Sequence, residues 1–223
     1  MLKKEYQPKI WLITDTHFGH EFLRQLGVRP QNYEKRILTS WKKMVNPMDT
    51  VIHLGDLAFK PETPMGQMIP NLPGHKILVL GNHDYGFNRY LKMGFDLVTD
   101  KILLTYNGQE IIFSHIPVPM EKWQMCDNPF KAVNIHGHLH GDRHRLQDDC
   151  AWYPERPYGK YIDLAPELRG CRVINIEEAI KLAKQDGEPK NIFKEAFKYG
   201  EEITQQEAEN TINKGLAHPL KSL

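Results

Sequence analysis

Five short segments of this chain concentrate side chains able to hold a divalent cation: Asp15-Thr16-His17, Gly55-Asp56, Gly81-Asn82-His83-Asp84, His115, and His136-Gly137-His138-Leu139-His140. Asp15 and Asp56 offer hard carboxylates, Asn82 a neutral carbonyl oxygen, and His17, His115, His138 and His140 imidazole nitrogens. Mixed nitrogen and oxygen donors without thiolate suit manganese, iron, zinc or nickel. Seven donors exceed the needs of one ion. They fit a pair about 3.5 to 4 Å apart that shares one carboxylate and one water. A hydroxide held between two cations attacks phosphorus in line while the ions neutralise charge on the equatorial oxygens, so the chemistry implied is hydrolysis of a phosphate ester. Any one of these histidines alone would be read as structural; the ordered set points to metal.

The elements that must carry these residues are short apolar runs. KIWLIT at 9–14, VIHL at 51–54, KILVL at 76–80, EIIFS at 110–114 and residues 133–135 each run into one of the five segments. Runs of this length predict buried strands. In α/β sheets ligands bind beyond the carboxyl ends of strands, which lets residues distant in sequence meet there. Gly55, Gly81 and Gly137 would let the backbone turn sharply before a ligand. Between the first two runs, Ile37, Leu38, Trp41 and Val45 recur at helical spacing behind an Asn32 cap, and Asn46-Pro47 closes the helix. Asn107-Gly108 between apolar runs predicts a hairpin and hence an antiparallel pair. Later strands are expected at 161–164 and 172–176, after a polar surface loop at 141–159. A helix is expected at 177–186. Gly187 and Pro189 then interrupt, so residues 1–186 are read as the metal-binding domain and residues 187–223 as a C-terminal helical extension. Its last helix would start at Thr204, where Glu207 completes a capping box.

DxH, GD, GNHD, a lone His and GHxH in this order resemble the signature of the calcineurin-like metallophosphoesterase superfamily. The chain is similar in particular to small prokaryotic and phage-type members that open with DTHFGH, followed by Arg29-Pro30, a Trp-containing helix and DTVxHLGD at 49–56. The resemblance implies an α/β fold (α+β by some labels), a four-layer α/β/β/α sandwich of two mixed sheets. It implies that Asp15, His17 and His140 bind one ion and Asn82, His115 and His138 the other, with Asp56 bridging. It further implies that His83 is the acid that protonates the leaving oxygen, with Asp84 orienting its ring. Two divalent ions, manganese first and iron, zinc or nickel as alternatives, are the expected cofactors. A metallo-β-lactamase HxHxDH site would need Asp at position 140, where the chain has His.

Arg24, Arg29 and Arg89 lie near the motif loops and are candidates to grip a substrate phosphate. Trp152 and Tyr153 are placed to meet a substrate; His53 and His136 read as supporting residues, and His20 and His144 are left open. The net charge of +1 excludes strong non-specific attraction to nucleic acid, so the expected partner is a small phosphate ester or nucleotide. A homodimer through the C-terminal helices, where Phe193 and Phe197 share a face, is a further expectation. Three cysteines without CxxC spacing predict reduced thiols. No run has signal-peptide or membrane-spanning character, so a cytoplasmic location without membrane attachment is expected. The favoured substrate is a diester: a nucleotide, a cyclic nucleotide or a nucleic-acid end. The alternatives are a phosphomonoesterase acting on a nucleotide or phosphoprotein, and a non-catalytic metal-binding scaffold.

Overall fold

The structure is a computed structural model, and it describes residues 5–20, 23, 29–58, 66–129, 131–140 and 161–183. In chain order the strands are β1 (Ile10–Ile13), β2 (Thr50–His53), β3 (His75–Val79), β4 (Leu97–Thr99), β5 (Lys101–Tyr106), β6 (Gln109–Ser114), β7 (Val133–His136), β8 (Tyr161–Asp163) and β9 (Ile174–Asn175). The helices are α1 (Tyr33–Met44), α2 (Phe87–Lys92), α3 (Pro166–Arg169) and α4 (Ile176–Leu182). Short 3-10 segments occupy Gly66–Asn71 and Met120–Met125. The strands form two mixed sheets, ordered β4-β3-β2-β1-β9 and β5-β6-β7-β8. Strands β1 to β4 pair in parallel, and β9 closes the edge antiparallel to β1. In the second sheet β6, β7 and β8 are parallel and β5 is antiparallel to β6. The chain therefore has the α/β architecture expected of it.

The alternation of side chains along each strand explains why two sheets form. Trp11, Ile13, Val51 and Leu78 point into one core, which α1 covers with Ile37, Leu38 and Trp41. Their neighbours Leu12, Ile52 and Val79 point the other way and meet Ile111, Phe113, Val133 and Ile135 of the second sheet. Strands buried on both faces read as continuous apolar runs, which is the pattern parallel sheets require. Each fully buried aliphatic such as Ile37 or Leu12 contributes about 1.5 to 3 kcal/mol relative to exposure. The outer face of the second sheet packs Ile112 against Val118 and Trp123 of the second 3-10 region, which among the described residues supplies the layer there.

Several expectations need adjustment. The strand expected at 172–176 is reduced to two residues, because Ile176 already begins α4, capped by the Asn175 side chain on the Glu177 amide. Asn32 precedes α1 but makes no side-chain cap; its Oδ1 instead accepts from Arg36 Nε at 3.0 Å. Strand β4 and helices α2 and α3 have no counterpart in the sequence pattern. The hairpin forms at the expected place, with both Asn107 (φ 49) and Gly108 (φ 76) left-handed, as a two-residue primed turn requires. The expected helical extension at 187–223, and any dimer through it, lies outside the described residues. No helix among the described residues is long and apolar enough to cross a membrane.

Candidate metal centre

The carboxyl ends of β1, β2 and β3 in one sheet and of β6 and β7 in the other converge at one edge of the sandwich. Three backbone hydrogen bonds lace the first two loops together: Asp15 N to Gly55 O at 2.9 Å, His17 N to Asp56 O at 2.9 Å and Phe18 N to Leu57 O at 3.1 Å. The second and third loops are joined by Asp84. Its Oδ2 accepts from the Asp56 and Gly81 amides at 2.7 and 2.9 Å, and its Oδ1 from the Leu57 amide and the Tyr90 hydroxyl at 3.1 and 3.0 Å. This corrects the expectation for Asp84, whose carboxylate holds two loops in register and makes no bond to the His83 ring.

Two glycines permit the loops to close on the carboxylates. A Cβ at Gly81 would stand 2.2 Å from Asp56 Oδ1, and one at Gly137 would stand 2.1 Å from Asp15 Oδ2. Neither glycine has a left-handed φ, so the requirement is space and not the sharp turn inferred from sequence. Gly55 (φ 95) does make the expected sharp turn before Asp56, and the other left-handed residues in these loops include the candidate ligands Asp15 (φ 48), His17 (φ 42), Asp56 (φ 55), His138 (φ 71) and His140 (φ 51). Such conformations cost roughly 1 to 3 kcal/mol each and persist where surrounding contacts over-determine them. Five of the seven left-handed residues other than glycine among the described residues are thus candidate donors.

Asp15, His17 and His140 bring donor atoms within 4.8 Å of one another, as do Asp15, Asp56 and His115. His17 Nε2 and His140 Nε2 stand 3.3 Å apart. Asn82 Oδ1 lies 3.0 Å from His115 Nε2 and 2.9 Å from His138 Nδ1. Between the two groups, Asp56 Oδ2 is 3.5 Å from His17 Nε2 and 3.3 Å from His115 Nε2. All seven sequence-predicted donors are therefore brought together. The protonation pattern tests whether they fit a cation. His115 Nδ1 is 2.8 Å from the Leu54 carbonyl, which can accept only, so this nitrogen carries hydrogen. In a neutral ring the Nε2 lone pair then faces Asp56 Oδ2 and Asn82 Oδ1, an arrangement that repels unless positive charge lies between them. A proton or a metal ion would supply it, and the donor set fits a metal.

In the metal-free chain the proton fills that role. Burial opposes the charge on His115, but its hydrogen bond to Asp56 and the charges of Asp15 and Asp56 outweigh burial and raise its pKa to about 9. The same contact holds Asp56 far below the ordinary carboxylate range, against the effect of its burial. His17 goes the other way: burial, with Arg29 and His140 nearby, keeps it neutral. The sign follows from linkage. A raised folded pKa contributes stability that is complete below about pH 6.5 and lost as pH rises through about 9. An ion held at His115 would have to displace this proton, so manganese affinity of the metal-free protein should climb with pH from 6.5 and level off near 9. Equilibrium dialysis across that range checks this, and a flat profile would contradict the pairing.

The remaining candidates divide. His83 is exposed on the third loop; its amide donates to Asp56 Oδ1 at 3.0 Å, and its ring lies 5.8 Å from that of His17. His20 stacks edge-on to His17 at 5.6 Å, and burial lowers its pKa. His53 is buried against the Thr16 hydroxyl at 2.9 Å, and His136 Nδ1 faces the Gly137 carbonyl at 2.9 Å, so both support ligand loops. Arg89 is half-buried on α2. Arg29 is a correction. Instead of facing solvent to grip a phosphate it is 1% exposed, donates to the Asp15 carbonyl at 2.6 Å and pairs with Glu167 at 2.7 Å. Glu167 itself, 0% exposed and 2.9 Å from His140 Nδ1, was missed, since no motif marks it. Arg24, His144, Trp152 and Tyr153 lie outside the described residues.

The family model described as calcineurin-like phosphoesterase matches residues 8–145, a span that contains all seven donors. A solved structure of a protein of unknown function from Aquifex aeolicus is similar with a TM-score of 0.63 and 30% identity, covering 79% of this chain and 100% of that one. An uncharacterized protein of Methanocaldococcus jannaschii is 25% identical over 183 residues, covering 79% of this chain and 92% of that protein. The gene 66 protein of Mycobacterium phage L5 is 28% identical over 162 residues, covering 58% of this chain and 76% of its own length.

Proposed function

Because the chain belongs to the calcineurin-like phosphoesterase family and is thereby a metal-dependent hydrolase of phosphate esters, we propose that it cleaves phosphodiesters with two divalent ions held at the paired clusters. The observation that carries the reading is the position of Asp56 Oδ2, 3.5 Å from His17 on one side and 3.3 Å from His115 on the other. Asp15, His17 and His140 would hold one ion, and Asn82, His115 and His138 the other. When bound, such a pair supplies a water of lowered pKa and neutralises charge on the phosphoryl oxygens. Manganese suits the mixed donor set.

The chain's own residues do the rest. Asp84 fixes the loops that carry Asp56 and Asn82. His83, exposed beside the donors, gives its ring proton to the departing oxygen as a general acid. Three side chains favour a diester of nucleotide type. Tyr85 at 71%, Phe87 at 46% and Ile116 at 38% remain exposed immediately after the His83-Asp84 and His115 ligand loops. They offer apolar surface for the second organic substituent that a diester carries and a monoester lacks.

The test compares p-nitrophenyl phosphate with its bis ester, using pure protein with manganese added. A kcat/KM at least roughly tenfold higher for the bis ester, equivalent to about 1.4 kcal/mol of transition-state binding, is the expected result. The reverse preference would establish a phosphomonoesterase. Hydrolysis of neither ester would favour a binding scaffold.

A further inference from the structure

We propose that Glu167 is a positioning residue for the candidate ligand His140, fixing its ring orientation and the nitrogen on which it carries hydrogen. The inference rests on the reading that Asp15, His17 and His140 hold an ion. Glu167 stands on α3, beyond the 8–145 span that the family model matches, so it is not one of the motif residues.

The argument begins with what each atom can do. A carboxylate accepts hydrogen bonds and cannot donate them, so the 2.9 Å contact between Glu167 Oε1 and His140 Nδ1 places the hydrogen on Nδ1. Arg29 Nη2 also lies 3.2 Å from Nδ1, but a guanidinium only donates, and the ring nitrogen cannot be donor and acceptor at once. The shorter contact, between groups of complementary polarity, decides it. With Nδ1 occupied, the Nε2 lone pair is directed toward Asp15 Oδ1 at 3.6 Å and His17 Nε2 at 3.3 Å, where an ion would lie. The pairing of a ligating histidine with a carboxylate through its other nitrogen is the general device for orienting such rings.

Arg29 holds the carboxylate in place. Its Nε donates to the same Oε1 at 2.7 Å, and its Nη1 donates to the Asp15 carbonyl at 2.6 Å. One guanidinium thus ties the partner of His140 to the backbone of Asp15, and both would bind the same ion. Glu167 Oε2 is buried with no hydrogen-bond partner among the described residues. All the described hydrogen bonding of this carboxylate is on Oε1, shared between Arg29 and His140. The guanidinium also lies 5.1 Å from the Tyr33 ring centre, which leaves it little freedom to move.

Two measurements test the assignment. In metal-free wild-type protein, nitrogen-15 spectra of the His140 ring in its neutral form should show hydrogen on Nδ1; hydrogen on Nε2 would overturn the proposal. Second, Glu167→Gln retains a carbonyl to accept from Arg29 but removes the charge and allows its amide to donate to Nδ1. Calorimetric titration with manganese alone should then show one of two ions weakened about 10- to 100-fold and the other unchanged. The ring spectrum should shift toward the Nε2–H form, with the metal-free melting curve still cooperative. A purely structural role would alter melting without moving the tautomer, and unchanged affinity for both ions would also overturn the proposal. A wild-type chain that binds no manganese would strike at the reading of the metal centre, leaving the wild-type tautomer to decide the role of Glu167.

Discussion

Asp56→Asn should cost the chain both ions, not one, and hydrolysis should fall to background. The two oxygens of the carboxylate have separate partners. Oδ1 accepts the His83 amide at 3.0 Å, and Oδ2 stands between His17 and His115 at 3.5 and 3.3 Å. An asparagine that keeps its carbonyl on the His83 amide must present its NH2 group to both histidines. That group donates where two cations need an acceptor. The change also removes the Asp56 contact and one of the two carboxylate charges that raise the His115 pKa, so the metal-free variant should lose part of the stability difference between pH 6.5 and 9 that the histidine confers. Metal analysis of the dialysed variant is the check. One ion per chain held at wild-type affinity would show that Asp56 serves a single site.

His83→Ala should have the opposite signature: two ions retained, with turnover lowered by about 10² to 10⁴, the usual worth of a positioned acid. Alanine preserves the backbone amide that braces Asp56, so metal binding has no reason to change. The loss should depend on the leaving group. A p-nitrophenolate departs without protonation, whereas an alkoxide does not, so an alkyl or nucleoside ester should suffer more than the p-nitrophenyl ester. Equal losses for both would make His83 a stabiliser of phosphoryl charge and not the acid, and full activity would remove it from the mechanism.

The donor set was legible in the sequence because strand ends are local signals. Each short apolar run stops at a polar cluster, and the chemistry of Asp15, His17, Asp56, Asn82, His115, His138 and His140 is visible without knowing the fold. The Asn107-Gly108 hairpin is local in the same sense. What could not be read was contact at a distance. Arg29 and Glu167 are separated by 138 positions, and nothing near either residue announces that the two will share a buried site. An arginine beside a phosphate-type motif reads as a phosphate clamp until its surroundings are known. Asp84 misled for a related reason: the resemblance implied a contact with the His83 ring, while the loop geometry turns the carboxylate toward three amides and a hydroxyl. Strand β4, three residues long between Asp96 and Asp100, carries too little pattern to be recognised.

The left-handed conformation at Asp15, His17, Asp56, His138 and His140 has a bearing on which metal chemistries this scaffold can acquire. Among residues other than glycine, that region of backbone space is entered most readily by Asn, Asp and His. The loops therefore filter their occupants by shape before affinity is considered: glutamate and cysteine are penalised at these positions whatever ion they would favour. Converting the centre to a thiolate or glutamate-rich one would require the turns to be rebuilt along with the side chains, and single substitutions would explore only a narrow alphabet of donors.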